Sequence, residues 1–117
     1  MRNIDNYTVF QKSHELVLRV YEITKRFPKE ELYGLTLQMR RSAYSIPMNL
    51  KEGGVGSEKE FLRYVKIAYG SCEELSYQIL LSKDLKYISM QEYEEIFEKN
   101  EEIRKMLFSI LDKLRNK

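Results

Sequence analysis

The residue types that most often do chemistry in proteins are scarce in this 117-residue chain. His14 is its only histidine and Cys72 its only cysteine. No Cys/His cluster has the spacing of a metal site, and His14 belongs to no Glu-x-x-His pattern of the kind that binds metals inside helical bundles. Catalysis needs convergent groups with tuned pKa values. We therefore expect no catalytic residue, no metal and no cofactor, with His14 on the surface and Cys72 in the core.

A glycine-rich stretch, Gly53-Gly54-Val55-Gly56, is the only candidate for a phosphate-binding loop. It lacks both the preceding strand and the Lys-Ser/Thr ending that such a loop requires. The pattern instead indicates a turn between helices, with the glycines adopting the left-handed geometry that ends a helix.

The remaining candidate function is the binding of phosphate groups by lysine and arginine side chains. The net charge is only +2, so any basic surface must be local. Tyr44 and Tyr64 lie near the charges in sequence and could stack on bases. Arg40 and Arg41 could equally pair with acids of a neighbouring subunit, and the basic strip of the third helix could be a solubilising face. The candidate nucleic-acid-binding residues are Arg40, Arg41, Lys51, Lys59, Arg63 and Lys66.

Apolar residues that recur at three- and four-residue steps predict the helices that must position these side chains. They cover about residues 8–27, 30–52, 57–86 and 90–115. Pro28 ends the first helix, and Ser57 and Ser89 open capping boxes with Glu60 and Glu92. Short connections between four amphipathic helices predict one all-α domain over residues 1–117, an up-down-up-down four-helix bundle.

The second helix contains Pro47 where the helical period would otherwise continue. An interior proline removes a hydrogen bond and presses on the preceding turn, so we expect a bend. The bend could curve a core helix or shape a seam between subunits. On the first helix, Glu15 with Arg19 and Glu22 with Arg26 have the spacing of favourable i,i+4 ion pairs.

The third helix carries more apolar residues than one bundle core needs. We interpret the excess as contact with other subunits, and place Asn49 and the proline of the second helix at the same interface. Asn100 lies in the seam of the fourth helix, where a polar residue can fix helix register or partner choice. The candidate oligomer-interface residues are Leu62, Tyr69, Leu80, Pro47 and Asn49.

Composition restricts the class of protein further. Hydrophobic residues make up 43% of the chain and charged residues 32%, which is typical of a globular helical protein. The longest apolar run is far shorter than the roughly 18 residues of a membrane span, and no apolar signal sequence opens the chain. We expect a cytoplasmic protein with no membrane partner.

Several short motifs of the sequence resemble those of one known family, the bacterial four-helix bundle proteins also called 23S rRNA intervening sequence proteins. The resemblance extends over almost the whole chain. The motifs on which the resemblance rests are FPKEE at 27–31, YGLT at 33–36, QMRRSA at 38–43, SIP at 45–47, KEF at 59–61 and EEL at 73–75.

This resemblance implies a four-helix bundle that assembles into a homo-oligomer, a pentameric barrel. Related accessory proteins of diversity-generating retroelements are expected to use the same barrel to bind nucleic acid and a reverse transcriptase, and to be strongly basic. This chain has a net charge of only +2 and an acidic first half of its last helix.

Two functions therefore stay open. The first is a non-enzymatic oligomeric adaptor that contacts RNA or DNA through the six basic residues. The second is a purely structural or protein–protein interaction module whose conspicuous residues serve assembly. The two hypotheses differ in whether Arg40 and Arg41 face solvent or an interface.

Overall fold

Four α-helices and two short 3-10 turns make up the protein, whose computed structural model describes residues 1–117. The helices are α1 (Thr8–Thr24), α2 (Leu35–Gly54), α3 (Glu58–Asp84) and α4 (Met90–Arg115). The 3-10 turns, Ile4–Asn6 and Lys29–Glu31, precede α1 and α2. The structure contains no strand, and the predicted all-α four-helix bundle is confirmed.

The helices form a closed square in which sequence neighbours run antiparallel. α1 packs against α2 and α4, α3 packs against the same two helices, and α1 and α3 lie diagonally opposite without contact. The bundle measures 45 × 22 × 20 Å. Because α1 and α3 are diagonal, a surface on the outer side of α3 is remote from any surface on the outer side of α1.

The core follows the predicted apolar periodicity. Phe61, Val65, Leu75 and Ile79 of α3 are all buried. Asn100, inside the seam between α3 and α4, is fully buried, and its side-chain amide donates a hydrogen bond of 2.9 Å to the Cys72 carbonyl. Its carbonyl oxygen Oδ1 has no partner. An orientation-dependent polar contact of this kind favours one register between two helices.

Both predicted capping boxes are present. The Ser57 hydroxyl accepts from the Glu60 amide at 3.1 Å, and the Glu60 carboxylate accepts from the Ser57 amide at 3.0 Å. Ser89 and Glu92 make the same reciprocal pair at the start of α4. These four hydrogen bonds satisfy amide donors that the first turn of a helix leaves free.

Three predicted helix ends were wrong. α1 ends at Thr24, three residues before the predicted end, and α2 begins at Leu35 because the Glu31 carboxylate accepts a hydrogen bond from the Leu35 amide at 3.1 Å. Gly53 and Gly54 do not end α2 through left-handed geometry, since no glycine has a positive φ. Both glycines belong to the helix.

Close packing explains the glycine pair. A Cβ atom on Gly53 would stand 2.6 Å from Cβ of Tyr64, and one on Gly54 would collide with Ile4. The absence of side chains therefore lets α3 and the N-terminal turn approach the end of α2. The amide of Arg2 completes this junction by donating to the Gly54 carbonyl at 3.1 Å.

α2 runs as one helix from Leu35 to Gly54 with Pro47 inside it and buried. Across the proline, the Asn49 side-chain amide donates to the carbonyl of Ser45, one turn earlier, at 2.7 Å. The Ser71 hydroxyl of α3 lies 2.8 Å from the Ser45 hydroxyl. Polar contacts thus tie the segment around Pro47 both to itself and to α3.

Candidate nucleic-acid interface

Three cations form a row on the outer face of α3. Lys59, Arg63 and Lys66 are exposed and line one shallow groove together with Leu62 and Glu60. Their i, i+4, i+7 spacing places them on one side of the helix. The Arg63 guanidinium lies 4.5 Å from the centre of the Tyr64 ring. We call these three cations the α3 strip.

None of the α3 strip residues takes part in an ion pair. Seven other cations do pair with carboxylates: Lys12, Arg19, Arg26, Lys51, Lys83, Arg104 and Lys117. A phosphate group could therefore approach the strip without displacing an internal carboxylate. Glu60 is the acid within the groove; hydrogen bonds from Ser57 lower its pKa and hold it at the start of the helix, and the charge of Arg63 lowers the pKa further.

The basic end of α4 lies beside the start of α3. Lys117 contacts Glu58, and Lys113 and Arg115 occupy the last turn of α4. The start of a helix also carries the positive end of its dipole. One end of the bundle therefore gathers positive charge from two helices.

Three of the six acids in the first half of α4 pair with basic residues of α1 and of the turn that follows it. The Arg19 guanidinium binds the Glu95 carboxylate through two hydrogen bonds of 2.8 Å, Arg26 binds Glu92, and Lys12 pairs with Glu102 at 3.0 Å. The hydrogen bonds from Arg19 lower the pKa of Glu95. The basic residues of α1 are thus occupied within the bundle.

The predicted i,i+4 ion pairs within α1 were wrong. Arg19 pairs with Glu22 at i,i+3 and with Glu95 of α4, while Arg26 pairs with Glu92. A planar guanidinium gains more from a two-point contact with a half-buried carboxylate than from an exposed neighbour along its own helix.

The three candidate cations of α2 do not join the α3 strip. The Arg40 Nε donates to the Thr24 hydroxyl at 2.9 Å, and its guanidinium lies 4.5 Å from the centre of the Tyr21 ring. Lys51 is bound to Asp5 at 2.6 Å. Arg41 is exposed, has no ion-pair partner and borders a polar groove between α2 and α3. Binding of nucleic acid by these three residues stays a prediction.

The candidate oligomer-interface residues have varied positions. Leu62 and Tyr69 are partly buried against the core of their own bundle. The Tyr69 hydroxyl accepts from Arg104 at 2.9 Å. The pKa of Arg104 is raised mainly by its hydrogen bonds to the Glu101 carboxylate and further by this contact with Tyr69. Leu80 is 38% exposed on α3, and Asn49 bonds to its own helix. Their role in an interface stays a prediction.

An apolar groove between α1 and α2 was missed by the sequence interpretation. It is wide open to solvent, has a volume of about 600 Å³, and its polar lining residues are His14, Lys51 and Glu52. The signal was available, because Phe10 and Val17 stand two turns apart on α1, as do Tyr44 and Lys51 on α2. We call this feature the α1/α2 groove; its apolar lining consists of Phe10, Val17, Tyr44, Pro47, Met48 and Val55.

The residue types that could support catalysis are not brought together. No group of three or more His, Cys, Asp or Glu side chains is arranged to hold a metal ion. Cys72 is buried as predicted, and burial raises the pKa of its thiol to about 12. His14 is exposed, also as predicted. None of the helices is both long and apolar enough to cross a bilayer.

Comparison with known proteins agrees with the bundle geometry. A crystal structure of a protein of unknown function from the S23 ribosomal protein family of Bacteroides thetaiotaomicron VPI-5482 superposes with a TM-score of 0.80. The two chains are 29% identical, and the match covers 89% of this chain and 98% of the other. No curated protein matches the chain. The 23S rRNA-intervening sequence protein family matches residues 5–109, and the chain belongs to this family.

Proposed function

We propose that the protein is a non-enzymatic, homo-oligomeric adaptor that binds RNA or DNA through the phosphate backbone. The observation that carries this proposal is the α3 strip, whose three exposed cations have no internal carboxylate partner. The basic last turn of α4 lies at the same end of the bundle.

Assembly would raise the affinity of such a small surface for nucleic acid. Three phosphate contacts correspond to a salt dependence of only about −2 to −3 in log K against log[salt] for one copy. Several copies on one nucleic acid convert later contacts into intramolecular ones and raise the overall affinity. The family resemblance adds the expectation of a five-subunit barrel, in which the same strip would be repeated.

A charge-reversal experiment tests the nucleic-acid part of the proposal. Lys59→Glu, Arg63→Glu and Lys66→Glu are combined in one variant. Its binding to a short RNA and a short duplex DNA is measured by fluorescence anisotropy over a range of salt concentrations. We expect at least a tenfold weaker binding than that of the wild-type protein, with a smaller salt slope, because phosphate contacts are lost.

A matched control reverses three exposed, unpaired lysines near the opposite end of the bundle, Lys25, Lys29 and Lys86. Its net charge changes by the same amount, so it should keep most of the wild-type affinity. Equal losses in the two variants would mean that overall charge and not the strip governs binding. Wild-type protein that binds neither nucleic acid would contradict the proposal.

The second candidate function is a structural or protein-interaction module. The α1/α2 groove and the internal engagement of Arg40 and Lys51 favour it, since those residues then stabilise the subunit and not a ligand. In that case Arg40→Glu with Arg41→Glu alters stability or assembly, measured by thermal unfolding and light scattering, and no nucleic acid binds.

A further inference from the structure

We propose that the polar groove between α2 and α3 binds a small zwitterion, a molecule with one carboxylate and one ammonium group such as a free amino acid. We call this feature the α2/α3 groove. It has a volume of about 300 Å³ and is open to solvent. Binding here requires neither nucleic acid nor assembly, and so goes beyond the proposed function. The residues that carry the argument are Arg41, Ser42, Ser45, Ser71 and Glu74.

Helical spacing brings polar side chains to this groove from both helices. On α2, Ser45 follows Arg41 by four residues and Ser42 by three, which places the three side chains on one side of the helix. On α3, Ser71 and Glu74 are three residues apart and also share a side. The Ser71 hydroxyl lies 2.8 Å from the Ser45 hydroxyl, so the two helices contact each other through these serines.

The Ser42 hydroxyl is a buried polar group without a partner. Ser42 is only 6% exposed, lines the groove and makes no hydrogen bond within the protein. The other buried serines, Ser13, Ser71 and Ser82, each donate to a backbone carbonyl. Because a buried hydroxyl that makes no hydrogen bond costs free energy, native proteins nearly always give it a partner. The Ser42 proton is therefore available to an acceptor in the groove.

The Ser45 hydroxyl supplies a second donor. Its oxygen accepts from the Asn49 side-chain amide at 2.9 Å and lies 2.8 Å from the Ser71 hydroxyl. When Ser71 donates in this pair, the Ser45 oxygen accepts two hydrogen bonds and its own proton stays free to donate. Two hydroxyl donors then stand on the same side of α2 as the Arg41 guanidinium. Hydroxyls and a guanidinium are together suited to bind a carboxylate, because hydrogen bonds to an ionised acceptor are the stronger ones.

Two opposite charges in the groove favour a zwitterion over a simple anion. Arg41 and Glu74 are both exposed and both line the groove, yet neither forms an ion pair, either with the other or with a third residue. The guanidinium belongs to α2 and the carboxylate to α3, so a ligand between the helices can contact both. A free phosphate or carboxylate would be repelled by Glu74, whereas an ammonium group on the same ligand pairs with it.

The size of the groove limits the ligand and its affinity. Its volume is at the lower end of the range for small-molecule pockets, which fits a molecule of amino-acid size. Gln38 and Tyr44 add an amide and a phenol to the lining for contact with the rest of the ligand. Because the charged side chains stay exposed to water, we expect a dissociation constant of about 0.1–10 mM.

Nuclear magnetic resonance titration of the full chain, labelled with nitrogen-15, tests the proposal. The probes are the standard amino acids, with propionate and ethylamine as ligands that carry one charge. At least one amino acid should give saturable shifts at the amides of residues 41–45 and 71–74, and should bind at least tenfold more tightly than either single-charge probe. Arg41→Gln should weaken its binding at least tenfold, and Ser42→Ala about fivefold through the loss of one hydrogen bond. If no amino acid causes saturable shifts there, the proposal is wrong.

Glu74→Gln separates recognition of the ammonium group from a structural role of Glu74. It should weaken amino-acid binding at least tenfold but strengthen propionate binding, because the repelling carboxylate is gone. Weaker binding of both ligands would overturn the assignment of Glu74 to the ammonium group.

Matched controls remove charges outside the groove. Arg115→Gln and Glu94→Gln change exposed, unpaired residues of α4 and should leave amino-acid binding unchanged. The triple charge reversal of the α3 strip should also leave it unchanged, since the ligand has no net charge. Loss of amino-acid binding in that triple variant would contradict a site in the α2/α3 groove, while loss of nucleic-acid binding alone concerns only the proposed function.

Discussion

At the scale of single residues, the partner of each charge is set by the neighbouring helix more than by the local sequence. Spacing along α1 predicted an ion pair between Arg19 and Glu15, yet the Arg19 guanidinium binds Glu95 of α4. The sequence contains the periodicity of each helix but not the axial offset between two helices, which depends on how their side chains interlock. The shared face of the α3 strip residues was therefore predictable, because it depends on the periodicity of one helix. The contacts of Arg40 and Lys51 were not, because they depend on how neighbouring elements are placed.

The Arg19–Glu95 pair makes a testable contribution to stability that depends on pH. Because the folded pKa of Glu95 lies below its unfolded value, the stabilisation is present above the unfolded pKa of about 4.3 and is lost as pH falls through the folded pKa. Glu95→Gln should lower the free energy of unfolding by about 0.5–1 kcal/mol near neutral pH, since the pair is partly solvated. Urea unfolding near pH 7 and near pH 3 measures the difference.

Glu94→Gln is the control for that measurement, because Glu94 is exposed and belongs to no ion pair. It should change stability little at either pH. As pH falls through the folded pKa of Glu95, wild-type and Glu95→Gln proteins should converge, because the wild-type side chain then becomes neutral as well. A Glu95→Gln effect of equal size at both pH values would contradict an ionic origin.

At the scale of the helices, periodicity predicted their number, order and buried faces, and capping boxes predicted the starts of α3 and α4. The ends that depend on tertiary contact were predicted less well. The start of α2 is fixed by a side chain from the preceding 3-10 turn, Glu31, while the two glycines near its end belong to the helix and serve packing. Glycine after an apolar period signals either a left-handed cap or a close approach, and only the arrangement in space separates the two.

Two helical glycines should respond to alanine in opposite directions. Gly53→Ala should destabilise the protein by about 1–3 kcal/mol, because the new Cβ would stand 2.6 Å from Cβ of Tyr64 and force the helices apart. Gly70→Ala should stabilise it by about 0.5–1 kcal/mol, since alanine favours helix and no atom lies within 4 Å of that position. Chemical unfolding of the two variants measures both changes, and equal signs would contradict a packing role for Gly53.

At the scale of the whole molecule, charge and apolar surface are segregated. Unpaired cations lie on the outer side of α3, while the α1/α2 groove is mainly apolar and its one lysine, Lys51, is paired with Asp5. The net charge of +2 conceals this division, because acids on α4 cancel bases on α1 within the subunit. Composition alone therefore understates the positive potential that a phosphate chain would meet at one end of the bundle.

Assembly into the proposed homo-oligomer should couple stability to protein concentration. Contacts between folded copies stabilise the folded state by mass action, whereas unfolded chains do not assemble. For a dimer, a hundredfold increase in concentration corresponds to about 1.4 kcal/mol per subunit, or a rise of roughly 5 °C in the unfolding midpoint of a domain of this size. Differential scanning calorimetry over that concentration range measures the slope, and a wild-type midpoint that does not move with concentration would contradict assembly coupled to folding.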